Sequence, residues 1–327
     1  MSIGKFVVSL DFELMWGMND VKTVDQYGEN IRGVHQAMPR LLKMFEQYGI
    51  RSTFSTVGFL FFESRQQLLL HLPTRLPDYT NLKLSPYTGY FDNLGETYQQ
   101  DPYHFAPQLI RLIQQYPQQE IGTHTFSHYY CLEEGQTKED FRADIIQAQK
   151  IAAEYGINFT SLIFPRNQFN DDYLQVCKEL GILCIRGNET SWIYKTKKGT
   201  YQSFTKRGLK LLDTYINISG YNCYSNDQLK IRLPINIPAS SFLRPYKKKL
   251  KLLDGLRLSR IKSAMTHAAA NGLTFHLWWH PHNFGVNQDE NFAILEQLLK
   301  HFNELHIKYN FESHTMTSAA KQILNIL

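Results

Sequence analysis

The 327 residues, 43% hydrophobic and 20% charged, have the make-up of an ordinary folded protein, which excludes a disordered or fibrous chain. Thirty-five Lys and Arg against 30 Asp and Glu leave a formal charge of +5, too mild and too dispersed for a nucleic-acid-binding protein. No apolar run reaches the roughly 18 residues of a membrane span, and Cys131, Cys177, Cys184 and Cys223 form no C-x-x-C pair, so neither a disulfide framework nor a cysteine zinc site is expected.

The opening MSIGKFVVSLDFE enters a strand-like run almost at once, without the basic, apolar and small-residue succession of a signal peptide, and a cytoplasmic location is the expectation. A first strand is read at 6–14. A helix follows near 34–48, with Met38, Leu41, Leu42 and Phe45 at helical spacing and Gly49 at its C-cap. A second strand at 51–59 leads into a Pro-, Tyr- and Gly-rich stretch, 70–105, read as an insertion. Helices at 107–116 and 138–155 precede strands at 120–123 and 161–164. A helix from Asp171 closes at Gly181, and a strand at 182–186 follows. The segment 190–250 is mixed and aromatic and is read as a second insertion. Rhythm returns with a helix at 257–270, a strand at 273–279, a long helix at 291–308 and a last short strand and helix. Such alternation is the signature of parallel strands with crossover helices. With no repeat and no Gly/Ser linker, a single barrel-like α/β domain over 1–327 is expected.

In such folds chemistry sits at the carboxyl ends of the strands. Asp11 and Glu13 close the first strand in SLDFE, and their spacing of two puts both carboxylates on one face. Side by side they repel unless a cation or proton intervenes; the blander alternative is a capping Asp and a solvated Glu. His124 and His128 follow the third strand in EIGTHTFSH, spaced so that both imidazoles reach one ion from a turn. A carboxylate from another strand would complete a facial set with open positions, able to activate water and polarise a carbonyl. His276 and His280 in HLWWH repeat the spacing, but on a strand. There His280, nearest the strand end, is the catalytic candidate, and His276 reads as a satisfied interior histidine. His282 is a substrate contact or a partner behind the site, and Trp16 is a further candidate sugar contact. Arg166 in LIFPRNQ places a permanent cation at the same mouth, where it would orient a neighbouring carboxylate.

Taken together, SLDFE, HTFSH, FPRNQ and LWWHPHN resemble, in order and placement, the motifs of the polysaccharide deacetylases, the NodB-homology or carbohydrate esterase family 4 proteins. HTFSH matches their His-[Ser/Thr]-x-x-His metal motif, and LWWH their Leu-x-x-His acid motif. Two motifs depart: Phe12 separates the acids that the family commonly holds adjacent, and Pro165 precedes Arg166 where the family usually reads Arg-x-Pro.

The resemblance implies a distorted (β/α)7-type barrel and one divalent ion, zinc being the expectation. Glu13, His124 and His128 would be its ligands, Asp11 the general base steadied by Arg166, and His280 the general acid, with an exchange of the base and ligand roles between Asp11 and Glu13 as the alternative. The implied reaction is hydrolysis of an N-acyl group, an N-acetyl for preference, on an amino sugar in polysaccharide or glycoconjugate synthesis. Two rivals are a deformylase or amidase on a lipid- or nucleotide-linked sugar, and a catalytically degenerate barrel that only binds carbohydrate. The basic stretch RPYKKKLKLLDGLRLSRIK adds a face able to make weak peripheral contact with an anionic membrane, or simply a solvated helix.

Overall fold

The structure, a computed structural model, describes residues 2–194, 204–230 and 232–325. Among the described residues nine strands form one sheet in which every pairing between strands is parallel. They are β1 (Lys5–Phe12), β2 (Ser52–Thr56), β3 (Glu120–Thr123), β4 (Ser161–Ile163), β5 (Cys184–Arg186), β6 (Ile235–Asn236), β7 (Ser241–Phe242), β8 (Thr274–Trp279) and β9 (Glu312–His314). The order along the sheet is β6-β5-β4-β3-β2-β1-β8-β7, with β9 added beside β1.

The two ends of that order are one piece of chain. Residues 235–239 hydrogen-bond to β5 and its exit, Ile235 to Leu183, Ile237 to Ile185 and Ala239 to Gly187, whereas Ser240 and Leu243 donate to His276 and Trp278 of β8. One extended stretch therefore bridges the edges of the sheet, and seven staves ring the lumen: the distorted (β/α)7-type barrel of the α/β class. β9 shares an edge of β1 with β2, pairing with Lys5–Val7 where β2 pairs with Val8–Phe12.

Burial explains why β1 reads as a nearly continuous apolar run: all eight of its residues are buried, as in a parallel strand covered on both faces. Phe6, Val8, Leu10 and Phe12 join the large core beneath the helices, and Val7 joins a smaller cluster with Met316, Ala319 and Ile323 of the last helix, Met316–Leu324. Ser9 and Asp11 carry the polar register of the opposite face.

Helix α1 runs Val24–Gln47, ten residues longer at its start than the periodicity suggested. Gly28, Asn30 and Gly33 hide that beginning, because they are poor helix formers. Gly33 is required by packing: a Cβ there would stand 1.9 Å from the carbonyl oxygen of Gly285, and one on Gly285 would stand 1.8 Å from that of Asn30. The helix thus lies directly against the turn Pro281–Phe284 that follows β8. Helices α2 (Arg65–Leu70), α3 (Pro107–Gln114), α4 (Lys138–Glu154) and α5 (Asp171–Glu179) follow in chain order. Within 70–105 the chain forms two short 3-10 turns, Leu82–Leu84 and Tyr90–Asn93. Of the mixed segment 190–250, residues 195–203 and 231 lie outside the described residues; the rest holds α6 (Phe204–Asp213), α7 (Asn226–Leu229), β6 and β7. The C-terminal helices are α8 (Asp254–Asn271), α9 (Gln288–Tyr309) and α10 (Met316–Leu324). No described helix is long and apolar enough to cross a membrane.

Candidate active site

The chain leaves β1 through Glu13 and turns at Leu14, a leucine at φ 47, into the 3-10 turn Leu14–Gly17. Asp11 and Glu13 are each 4% exposed. Glu13 Oε2 lies 3.2 Å from His124 Nε2 and 3.1 Å from His128 Nε2. The three donor atoms all fall within 4.8 Å of one another and are buried. His124 Nδ1 lies 2.8 Å from the carbonyl oxygen of Ile163, which can only accept, so that nitrogen carries the proton. In the neutral ring Nε2 then presents a lone pair to a carboxylate oxygen. Two acceptors at that distance are compatible only with a proton or a cation between them, and two imidazoles with one carboxylate fit a divalent ion. His128 is fixed similarly, with Nδ1 3.1 Å from the Tyr130 hydroxyl.

The turn carrying both histidines is held in an unusual shape. Thr125 and His128 adopt φ of 66 and 58, in the left-handed region. The carboxylate of Asp144, on α4, accepts hydrogen bonds from the Phe126 and Ser127 amides at 2.6 and 3.1 Å and from the Ser127 hydroxyl. Burial pushes this carboxyl up to about 7 against those hydrogen bonds. His124 is fixed to the sheet by its amide, which donates to Thr56 at 2.9 Å.

Asp11 faces a different partner. Arg186, at the end of β5, reaches across the lumen and donates to both Asp11 oxygens at 2.7 Å, and its Nη1 also donates to Ser9 Oγ at 3.0 Å. Its guanidinium lies 4.0 Å over the Trp278 ring. Burial alone would raise the Asp11 carboxyl, but Arg186, with His124 and His280, holds it below the usual carboxylate range. Glu13, raised by burial and lowered by His280 and the two histidines facing it, ends well below its ordinary value.

His280 closes the constellation, with Nε2 3.5 Å from Glu13 Oε1 and 3.8 Å from Asp11 Oδ2, and it stays partly exposed. Behind it stacks His282 at 4.8 Å between ring centres. His276, deeper on β8, hydrogen-bonds the Ile237 carbonyl at 3.0 Å and Ser9 Oγ at 2.8 Å. Burial, and the nearby Arg186, push His276 down to about 3 and so keep it neutral.

The family model for polysaccharide deacetylases matches residues 23–185. The chain belongs to the polysaccharide deacetylase superfamily. Two solved structures illustrate the fold it shares. A candidate polysaccharide deacetylase from Mycobacterium smegmatis is 13% identical with a TM-score of 0.61, over 99% of this chain and 92% of that one. A second, from Pseudomonas aeruginosa, is 11% identical with a TM-score of 0.53, over 98% and 90%. At such identities the likeness carries the fold alone. None of the curated proteins matches the chain at a significant level.

In this deacetylase-family barrel, Asp11, Glu13, His124, His128 and His280 come together, and three other expectations need correction. Arg166 does not hold Asp11: from a turn in which it sits at φ 55 it pairs with Asp20, lies 3.6 Å from Glu133 and stacks over Tyr130 at 4.0 Å, while both Asp11 oxygens are taken by Arg186. Arg186 occupies the orienting position instead. It was legible by the same reasoning, as an arginine closing the apolar strand ILCIR, but went unread. Trp16 makes no open sugar platform; it is 1% exposed, donates from Nε1 to the His104 carbonyl at 2.7 Å and packs on Phe59. His282 is buried behind His280 rather than facing substrate, with Nδ1 lacking a partner among the described residues, which leaves the second of its two readings. Sequence reasoning also missed Ser9, which links Arg186 to His276, and Asp144, whose carboxylate clamps the histidine turn. All four cysteines are free thiols.

Proposed function

We propose that this protein is a metal-dependent carbohydrate N-deacetylase, removing an N-acyl group from an amino sugar. What carries the reading is the convergence of Glu13, His124 and His128 within hydrogen-bonding distance of one point, beside an arginine-clamped Asp11 and a partly exposed His280. Glu13, His124 and His128 would hold a divalent ion, zinc for this donor set, which when bound supplies Lewis acidity toward water and the amide carbonyl.

The chain's own residues supply the proton transfers. Asp11, kept ionised by the bidentate Arg186, takes the proton of the attacking water as general base. Arg186 fixes the carboxylate plane, and Ser9 and His276 fix Arg186. His280 lies within 4 Å of both carboxylates and gives a proton to the departing amine, so the products are a carboxylate and a free amino sugar. The retention of a buried base and orienting arginine beside a partly exposed acid favours an enzyme over a degenerate binding barrel. A cytoplasmic location belongs to this reading, with substrates met before export.

The test is a screen of N-acyl amino sugars with chelator-treated and zinc-restored protein, scoring acetate and formate separately. Zinc-dependent release of acetate is expected, and formate in its place moves the activity to a deformylase. Asp11→Asn is expected to retain stoichiometric zinc and lose about 10²- to 10⁴-fold in kcat. An Asp11→Asn protein as active as wild type would overturn the role of the base.

A further inference from the structure

A cavity of about 350 Å³ opens beside the candidate active site, and its lining is unusual in charge. Arg166, Lys210, Arg244, Arg257 and Arg260 face it, against two carboxylates, Glu189 and Asp213. Asp213 is already engaged: it accepts from the Tyr194 and Ser219 hydroxyls and from the amides of Ile218 and Ser219, and it lies 3.8 Å from Nη2 of Arg260, the one carboxylate in ion-pair reach of that arginine among the described residues. Arg257 is 3% exposed, pairs with Asp254 through Nη2 and donates through Nη1 to the Arg244 carbonyl. Its Nε finds no partner among the described residues, and the same holds for Nε of Arg260. Arg244 donates from Nε to Thr214 at 2.9 Å and has no carboxylate within ion-pair distance among the described residues.

Packing several guanidinium groups around one open space is costly, through desolvation and mutual repulsion, unless an anion completes the site. Burial already pulls Arg257 below its ordinary value despite Asp254. A guanidinium fork matches the paired oxygens of a phosphate better than a lone ammonium does. The volume is that of a small-ligand pocket.

The cavity is also tied to the chemistry. Phe242 and Trp278 form part of its wall, and their rings lie 6.0 and 5.5 Å from the ring of His280, while Trp278 packs on Arg186. One layer of aromatic side chains thus separates it from the candidate general acid.

The geometry points to an anion subsite, one that holds a phosphate or diphosphate carried by the sugar next to its acylamino group; this rests on the deacetylase reading and narrows its substrate to a phosphate-linked glycan. A nucleotide sugar and a lipid-linked sugar both offer that chemistry, and the arms of the experiment separate them.

Calorimetric titration of the full-length, zinc-loaded protein with inorganic diphosphate is expected to show saturable binding, with sodium glucuronate much weaker. Arg244→Gln is expected to weaken diphosphate at least tenfold, and Arg166→Gln, at a more exposed position, serves as the second variant. In steady state, the preference for UDP-N-acetylglucosamine or for polyprenyl-diphosphate N-acetylglucosamine over a neutral N-acetylglucosamine oligomer should fall about tenfold in Arg244→Gln, chiefly through KM. Whichever of the two wild type prefers identifies the carrier. Absence of diphosphate binding by wild type overturns the proposal, as does binding that neither variant weakens, and so does a preference for glucuronate. Diphosphate binding by a protein that cleaves no N-acyl sugar would discard the deacetylase reading and keep the anion site. Turnover of neutral oligomers without diphosphate binding would do the reverse.

Discussion

Two histidine pairs with the same spacing in the sequence meet opposite fates. His124 and His128 lie on a turn whose left-handed residues fold it back, so their rings come within 5.0 Å and face one carboxylate. His276 and His280 lie along and just beyond β8, where four residues of extended chain span about 13 Å. They serve separate levels of the barrel: His280 stands with the acids at the mouth, and His276 braces Ser9 beneath them. A spacing of four therefore brings two imidazoles to one point only where the backbone is curled.

The sharpest way to break this contrast is to remove one histidine from each pair. His124→Ala deletes one of three converging donors and is expected to leave no stoichiometric zinc by elemental analysis and at least 10³-fold less activity. His276→Ala should keep zinc bound. Its cost falls on stability, about 2 to 4 kcal/mol from a cavity and an orphaned buried carbonyl, read as a shift in denaturant midpoint. Zinc lost equally from both variants would show that the two pairs are not distinct in function.

A comparison of the two arginines comes next in size. Arg186 is buried and bidentate on Asp11, so Arg186→Ala leaves an uncompensated buried carboxylate and is expected to cost about 3 to 5 kcal/mol of stability. It should also lower kcat by about 10²-fold, with the acidic limb of the pH–rate profile moving up as Asp11 loses the cation that keeps it ionised. Arg166→Ala, which touches Asp20 and Tyr130 instead, should cost at least tenfold less in kcat and leave that limb in place. A profile shifted by Arg166→Ala and not by Arg186→Ala would restore the role first read for Arg166.

What could be read in advance divides along the same line. The strand–helix rhythm from 107 to 186 was legible because each element is bounded by local signals, such as Pro107 opening α3 and Thr137 capping α4. The five side chains at the mouth were legible because each lies at the carboxyl end of a strand or within a few residues of it. The pairing of Arg186 with Asp11 and Ser9 was not, since it crosses the lumen between β1 and β5, strands with three others between them in the sheet, and no local pattern records it. The stretch 235–243 had no period to detect, being two half-strands that pair in turn with opposite edges. Trp16 misled because a tryptophan beside a site reads equally as a platform or as core, and only its indole N–H bond to His104 decides.

The smallest effect concerns the device that keeps the first pair curled. Asp144 gathers the amides of Phe126 and Ser127 and the Ser127 hydroxyl from inside the histidine turn. Its carboxyl is pushed up to about 7 by burial, above the ordinary 3.8, so the folded state takes up a proton that the unfolded state has already released. Its stabilising contribution is therefore fully present below the unfolded value and is lost as pH rises toward and through 7. Asp144→Asn removes this titration and sets an amide against a backbone donor. About 1 to 3 kcal/mol should be lost at pH 5, and the gap to wild type should narrow by pH 8. Denaturant midpoints for the two proteins across that range test it; a gap that widens with pH would mean that the ionised carboxylate is the form that holds the turn.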